Sequence, residues 1–419
     1  MLAIATVMAA APGLFGATRA DAADPGTWVN TGFSTVPFEY YQGVTSDPQG
    51  NHYFDGFFSG LYRTAPDLTE TARVALEIPP EIGAGEGYNH IGDLSWNPGE
   101  GGRVLLPLEC YVPGVGNFCG TGAFGIADPQ TLQWRYYVKL DPADIAKAMW
   151  VESSPDGQLL WTSSGNDLLA YRSDDVKPAN AGPGGTLIKP VQRLVGAVPP
   201  SGVTGAVFYQ GRLLLAGEYH GLLQVWSVDT ANGERRLEIE RDIIGESEGL
   251  DVFEGLGGLL HWQIGQITSR GPPTYGTGHT ALVHFIPANR APDCSGVSAD
   301  SSVLWPPNHK LRAVTLSGAT DPDGDLVSLS IDSVTQDEPV SGDRGGGKGT
   351  DAAAAEATNR VLLRAERDGV GDGRVYRVAF TGSDGRGGTC AGVAEVAVPH
   401  SRAGTAIDSA PPGYSSFGP

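Results

Sequence analysis

The residues best spaced for chemistry fall into two groups. In DPDGD, Asp321, Asp323 and Asp325 alternate as in an oxygen-rich calcium loop, and Gly324 lets the backbone fold round a hard cation. Asp384, in GSDGRGG, is expected to approach from a neighbouring loop. The glutamate that completes an EF-hand is missing, and the same run is good turn chemistry. The second group is scattered and polar: Gln42, Asn89, His90, Lys147, Ser201, Glu246, Glu248 and Asp251. Brought together they form a ligand or metal site, in which His90 or Glu248 would be the general base and calcium the Lewis acid. No nucleophile motif or metal-ligand spacing accompanies them, so binding without catalysis is the simpler expectation. Calcium is the only cofactor expected.

What would gather the second group is a repeat. Between Asp24 and Pro287, a small or glycine-containing strand, a turn and a bulkier strand recur at intervals of about fifty residues. The units are YYQGVTSDPQGNHYF, YNHIGDLSWNPGEGGRVLL, KAMWVESSPDGQLLWTS, SGVTGAVFYQGRLLLAG and SEGLDVFEGLGGLLHWQ. After each of the first four comes a second hairpin with an Asp-containing turn, such as GAFGIADPQTLQWRYYVKL. Two hairpins make a four-stranded blade, so residues 24–287 are expected to form a five-bladed β-propeller. Six blades result if GTWVNTGF and ALVHFIP pair to complete another, and an irregular β-sandwich is the structural alternative. In a propeller the strand opening each repeat lines the central channel, which puts the second group at its mouth. Trp96, Trp134, Trp150, Trp161, Trp226 and Trp262 then fill the wedges between blades, or stack on sugars if exposed. His261 and His284 lack ligand spacing and read as hydrogen-bonded structural histidines.

Residues 288–292 are the expected linker, because PANRAPDCSG breaks the strand pattern. Residues 293–400 then have the length and strand spacing of an immunoglobulin-like sandwich. Tyr376, Val378 and Phe380 alternate in one strand, and Cys390 falls in phase with Val396 and Val398 in the next. The motifs LWPPNHK, SGATDPDGD and DGRVYRVAFTGSDGRGGTC closely resemble an immunoglobulin-like domain found near the C-terminus of many secreted bacterial proteins. The resemblance implies an extracellular accessory domain with no catalytic residues. Residues 24–287 have only the general look of secreted bacterial propellers, among them lactonase-like enzymes and plain binding modules. The stretch 401–419 is expected to be a disordered tail.

Compartment follows from the N-terminus and the cysteines. An alanine-rich apolar run ending in Ala20-Asp21-Ala22 reads as a signal peptide over residues 1–23, although no basic segment precedes it. Four cysteines fall into two local pairs, Cys110 with Cys119 and Cys294 with Cys390, the even count of an exported chain with two disulfides. A formal net charge of −20 argues against nucleic acid and anionic membrane as partners. The expectation is an extracellular bacterial protein, an all-β monomer with no membrane span. It would meet a protein or polysaccharide ligand as a non-catalytic binding protein or scaffold, the alternative being a calcium-assisted hydrolase or lyase.

Overall fold

The computed structural model describes residues 28–56, 60–75, 77–112, 115–243, 245–265, 280–340, 350–402, 404–409 and 413–417. The expected signal peptide lies outside them. The chain divides into two compact units, residues 1–288 and 289–419.

The first unit begins with β1 (Trp28–Val36) and continues as antiparallel sheets in chain order. The first sheet is β2 (Gly43–Ser46), β3 (His52–Asp55), β4 (Leu61–Thr64) and β5 (Glu70–Val74). A short helix α1 (Pro80–Glu86) leads to the second, in which β6 (His90–Ile91) and β7 (Ser95–Asn97) both pair with β8 (Arg103–Glu109). A small hairpin of β9 (Tyr111–Val112) and β10 (Gly116–Asn117) precedes the remaining strands of that sheet, β11 (Ala123–Ala127) and β12 (Trp134–Lys139). The third sheet is β13 (Glu152–Ser153), β14 (Leu159–Ser164), β15 (Asp167–Arg172) and β16 (Gln192–Leu194). The fourth is β17 (Gly205–Tyr209), β18 (Arg212–Tyr219), β19 (Leu222–Val228) and β20 (Arg235–Arg241). The fifth runs β21 (Glu246–Gly255), β22 (Gly258–Gly265), β23 (Thr280–Pro287) and then back to β1.

The strands β2, β7, β13, β17 and β21 neighbour one another in a closed circuit. Five radial sheets around a ring of inner strands make a β-propeller, and the first strand closes the ring by pairing with β23 as the outermost strand of the last sheet. GTWVNTGF and ALVHFIP thus do pair, but as the outer half of the fifth blade rather than as part of a sixth.

Local chemistry explains the recurring Asp turns. Asp47 Oδ1 accepts the backbone N–H of Gln49 and of Asn51, both at 2.9 Å, and Asp128 Oδ1 does the same for Gln130 and Thr131 at 2.9 and 2.8 Å. Asp156 and Asp229 repeat this two-residue reach in later blades. Between adjacent blades the apolar side chains form separate wedges. Trp150 and Trp161 fill the one between the third and fourth sheets, and Trp28 and Trp262 the one between the fourth and fifth. Each fully buried ring contributes roughly 2–3 kcal/mol of transfer free energy, and this holds the blades at their mutual angle.

The second unit contains β24 (Ser298–Ala299), β25 (Leu311–Ser317), β26 (Ser328–Gln336), β27 (Ala352–Ala354), β28 (Arg360–Arg364), β29 (Arg374–Ser383), β30 (Thr389–Val398) and β31 (Tyr414–Ser415). Two four-stranded sheets, ordered β24-β25-β28-β27 and β30-β29-β26-β31, share one core. Val314 and Leu363 meet Tyr376, Val378, Phe380 and Val396 there, so the expected alternation points inward. Both disulfides form as paired from the sequence. The C-terminal segment differs from a wholly disordered tail: Tyr414–Ser415 pairs with β26, and Asp408 forms an ion pair with Arg377. His309 adopts a left-handed turn conformation with φ 60° and lies 3.1 Å from Glu366.

Candidate functional site at the propeller mouth

Strands alternate in direction, so the end of the channel where β2, β6, β13, β17 and β21 begin is also where the second strand of each blade ends. At the opposite, far end each inner strand turns into the second strand through a short link, residues 47–51, 98–102, 154–158, 210–211 and 256–257. At the mouth the second strand of the second blade, β8, leads to the third, β11, through residues 110–122, which carry the β9-β10 hairpin. Long links on one face of a rigid scaffold are where recognition is built.

The link 110–122 is held tightly. Its disulfide joins Cys110 to Cys119, Asn117 Oδ1 accepts the Cys110 N–H at 2.8 Å, and Asn117 Nδ2 donates to the Ala146 carbonyl. Asn89 clamps the adjoining backbone from both sides, donating to the Tyr111 carbonyl at 2.9 Å and accepting its N–H at 2.7 Å. The side chains of Val112, Val115 and Phe118 stay exposed on this stapled hairpin, Val115 at 75%.

Beside the hairpin are the residues expected at the mouth. His90 Nδ1 lies 3.2 Å from Glu109 Oε1, and Lys147 Nζ is 3.9 Å from the other oxygen of Glu109. The His90 ring rests 5.4 Å from Tyr111. Tyr41 donates to Glu246 Oε2 at 2.6 Å, and the N–H groups of Tyr41 and Gln42 both donate to the Asp55 carbonyl. Glu248 is half-buried and recessed. Desolvation, reinforced by the like charges of Glu246 and Asp55, pushes its carboxyl well above the usual range.

Asp251 is a correction. It lies down the channel toward the far end, accepting from the Ser46 hydroxyl and from the Val252 N–H at 2.8 Å, because β21 carries it several residues past the mouth. Asn89 is likewise spent on Tyr111 rather than offered to a ligand, and Ser201 is buried with its hydroxyl on the Gly202 carbonyl.

Three acids missing from the sequence reading sit on or beside the axis. Asp93 bridges three blades: Oδ1 accepts the Val44 N–H at 3.2 Å and Oδ2 the Ala206 N–H at 2.8 Å. Glu152 accepts from Ser95 Oγ at 2.7 Å and from the Phe208 N–H at 3.1 Å. Asp55 is fully buried, and neither of its oxygens has a hydrogen-bond partner among the described residues. The N–H groups of Gly43 and of Asp55 itself temper the desolvation without reaching hydrogen-bond geometry, and its carboxyl is still driven well above the ordinary range. Electrostatic neighbours link Glu246, Glu248, Asp55, Asp93, Glu152 and Asp251 into one column down the propeller. Burial pushes Glu152 up to about 8 and Asp251 up to about 7.

At the far end the column meets histidines. His52 Nδ1 lies 2.8 Å from Ser46 Oγ, His261 and His284 face each other through Nδ1 atoms 2.8 Å apart, and His261 Nε2 meets the Phe253 carbonyl at 2.9 Å. Burial lowers His261 to about 3 and His284 to about 4, which suits the structural role read from the sequence.

In the second unit Asp321, Asp323 and Asp325 each offer a carboxylate oxygen within 4.8 Å of the others. Arginines already stand at this cluster: Arg290 Nε is 2.7 Å from Asp323 and Arg386 is 3.3 Å from Asp325. Asp384 does not join it. One of its oxygens accepts from Asn289 at 2.7 Å and the other from the N–H groups of Arg386 and Gly388.

No family model matches the chain, and no curated protein matches it. Among solved structures it is similar to the glutaminyl cyclase of Myxococcus xanthus, at 12% identity and a TM-score of 0.37 over 62% of this chain and 97% of that one. An oxidoreductase (glucose dehydrogenase) from Thermus thermophilus gives 13% and 0.37 over 61% and 99%. The β-propeller domain of Myceliophthora thermophila Cps50 gives 12% and 0.30 over 80% and 98%. Similarities this low carry no argument about activity or ligand, so the functional reading rests on the chain's own geometry.

Proposed function

We propose that this is a secreted binding protein whose ligand seats on the mouth face of the propeller, with the second unit an immunoglobulin-like accessory domain. The observation that carries the reading is the stapled hairpin 110–119. It displays Val112, Val115 and Phe118 on a disulfide-fixed frame beside the acidic mouth of Glu246, Glu248 and Glu109. Rigid apolar side chains next to charge give contact area at little entropic cost on binding. The two disulfides and the secreted-domain motifs of the second unit support export. The polysaccharide alternative has less behind it, because Trp150, Trp161 and Trp262 are consumed by the wedges.

The test is a screen of the full chain against glycan and peptide arrays, run beside a Phe118→Ser/Val115→Ser variant. A hit that the variant loses by tenfold or more, with unchanged thermal unfolding, supports the mouth face. Hits that survive the variant, or that map to the second unit alone, count against it.

One observation favours a catalytic second reading. Glu248 is reachable from the mouth and holds its proton above the usual range, the condition for acid–base work near neutral pH. Turnover of a lactone or glycuronan panel that Glu248→Gln abolishes would establish it.

A further inference from the structure

Orphaned acceptors near the channel mouth stand over glycines of two neighbouring inner strands, and they are all oxygens. Asp55 pairs in register with Gly43, and a methyl group on Gly43 would sit 2.6 Å from Asp55 Oδ1. On the neighbouring inner strand, a methyl group on Gly249 would sit 2.5 Å from the Val44 N, 2.9 Å from Asp93 Oδ1 and 2.9 Å from Gln263 Oε1. Gly43 and Gly249 are thus the floor over which Asp55 and Gln263 lean from their second strands toward the axis. Gln263 is fully buried; its amide nitrogen donates to the Tyr40 carbonyl at 2.7 Å, which orients Oε1 toward Gly249 and leaves that oxygen without a partner among the described residues. Both oxygens of Asp55 are in the same position. Glu248, from the same strand as Gly249, lies within electrostatic reach of Asp55.

Burying polar acceptors with nothing to receive is costly, so a group of them is expected to face a partner. That partner must be a donor or a cation, because carboxylate and amide-carbonyl oxygens can only accept. Glu77 provides the contrast: among the described residues it too is buried with both oxygens unpartnered, but burial alone raises its carboxyl and no neighbouring charge contributes.

We infer that Asp55, Gln263 and Glu248 form a site for a hard divalent cation of the calcium class, seated in the channel just above Asp93. Two carboxylates and an amide carbonyl, with no nitrogen or sulfur donor, are the ligand set such ions select, and the two carboxylates balance the ion's charge. Asp93, already held by two backbone N–H groups from different blades, closes the channel beneath it. The site ties the first blade to the fifth through β3, β21 and β22, and the ion's outer face is turned to the mouth, where a ligand oxygen can complete its coordination. This site is distinct from the Asp321 cluster of the second unit, and it stands whether or not the mouth binds a larger ligand.

The test uses the full chain, stripped with chelator and titrated with calcium chloride by calorimetry and by thermal unfolding. Expected is a propeller transition that calcium raises in wild type and in Asp323→Asn, that Asp55→Asn no longer raises, and that Glu248→Gln raises only at about tenfold higher calcium. Asn in place of Asp keeps the shape, and Glu248→Gln alters a half-exposed residue, so at least one variant reads out even if the other folds poorly. A calcium response equal in wild type, Asp55→Asn and Glu248→Gln, a response that only Asp323→Asn removes, or no response at all overturns the inference.

Discussion

Asp93 and Asp55 are buried aspartates that both crowd Gly43 on the propeller axis, yet their surroundings are opposite. Asp93 gives both oxygens to backbone N–H groups of other blades, whereas Asp55 gives neither. The same division separates the two ends of the channel. Toward the far end Glu152, Asp251, His261 and His284 all have partners, His52 Nε2 being the exception, and toward the mouth Asp55 and Gln263 Oε1 have none among the described residues. A buried polar group whose partners come from several blades fixes the ring. The unpartnered acceptors over Gly43 and Gly249 are where we infer that a cation binds.

The largest expected effect breaks the ring. Asp93→Ala leaves the Val44 and Ala206 N–H groups buried and unpaired, and should cost about 3 kcal/mol in urea unfolding of the propeller. In calcium-free buffer Asp55→Asn should be neutral or stabilising by up to about 1 kcal/mol, since it removes a carboxyl that burial disfavours in its charged form. Equal losses for the two variants would erase the distinction between them.

A smaller effect concerns pH. His261 and His284 titrate in the fold at about 3 and 4, below the roughly 6.5 of an unfolded histidine, so their contribution is lost as pH falls from about 6.5 toward 3. Glu152 and Asp251 titrate at about 8 and 7, above the roughly 4 of unfolded carboxyls, so theirs is lost as pH rises from about 4 toward 8. The two trends oppose each other between about 4 and 6.5, and Asp55, Asp93 and Glu248, whose carboxyls burial also raises, add to the second and shift the optimum toward the lower end. Chelated propeller should therefore be most stable in that interval and weaken on either side, measured as the unfolding midpoint against pH. His284→Gln should flatten the acid limb, and a profile rising steadily to about pH 8 would contradict the buried carboxyl column.

The difference between the ends also explains what could be read in advance. The blade repeat was visible because Asp turns and alternating strands are local: Asp47 and Asp156 cap their own turns through contacts two residues away. Gln42, His90, Glu246 and Glu248 could be placed near the mouth because they start inner strands. Asp55 and Gln263 could not, since they end or lie within second strands, and only the register against Gly43 and the closeness of Gly249 turns them to the axis. Asp251 was misplaced for the reverse reason, because it shares a strand with Glu246 but extends past the mouth.

By itself, then, the sequence determined the strand-and-turn alternation, the two units and both cysteine pairings, all of which depend on neighbours in the chain or on spacing along it. Ring closure was decided only by tertiary structure. So was the pairing of β1 with β23, and so was which buried carboxyls found a donor. Those outcomes depend on contacts between residues far apart in sequence, such as Asp93 with Ala206, that no local pattern encodes.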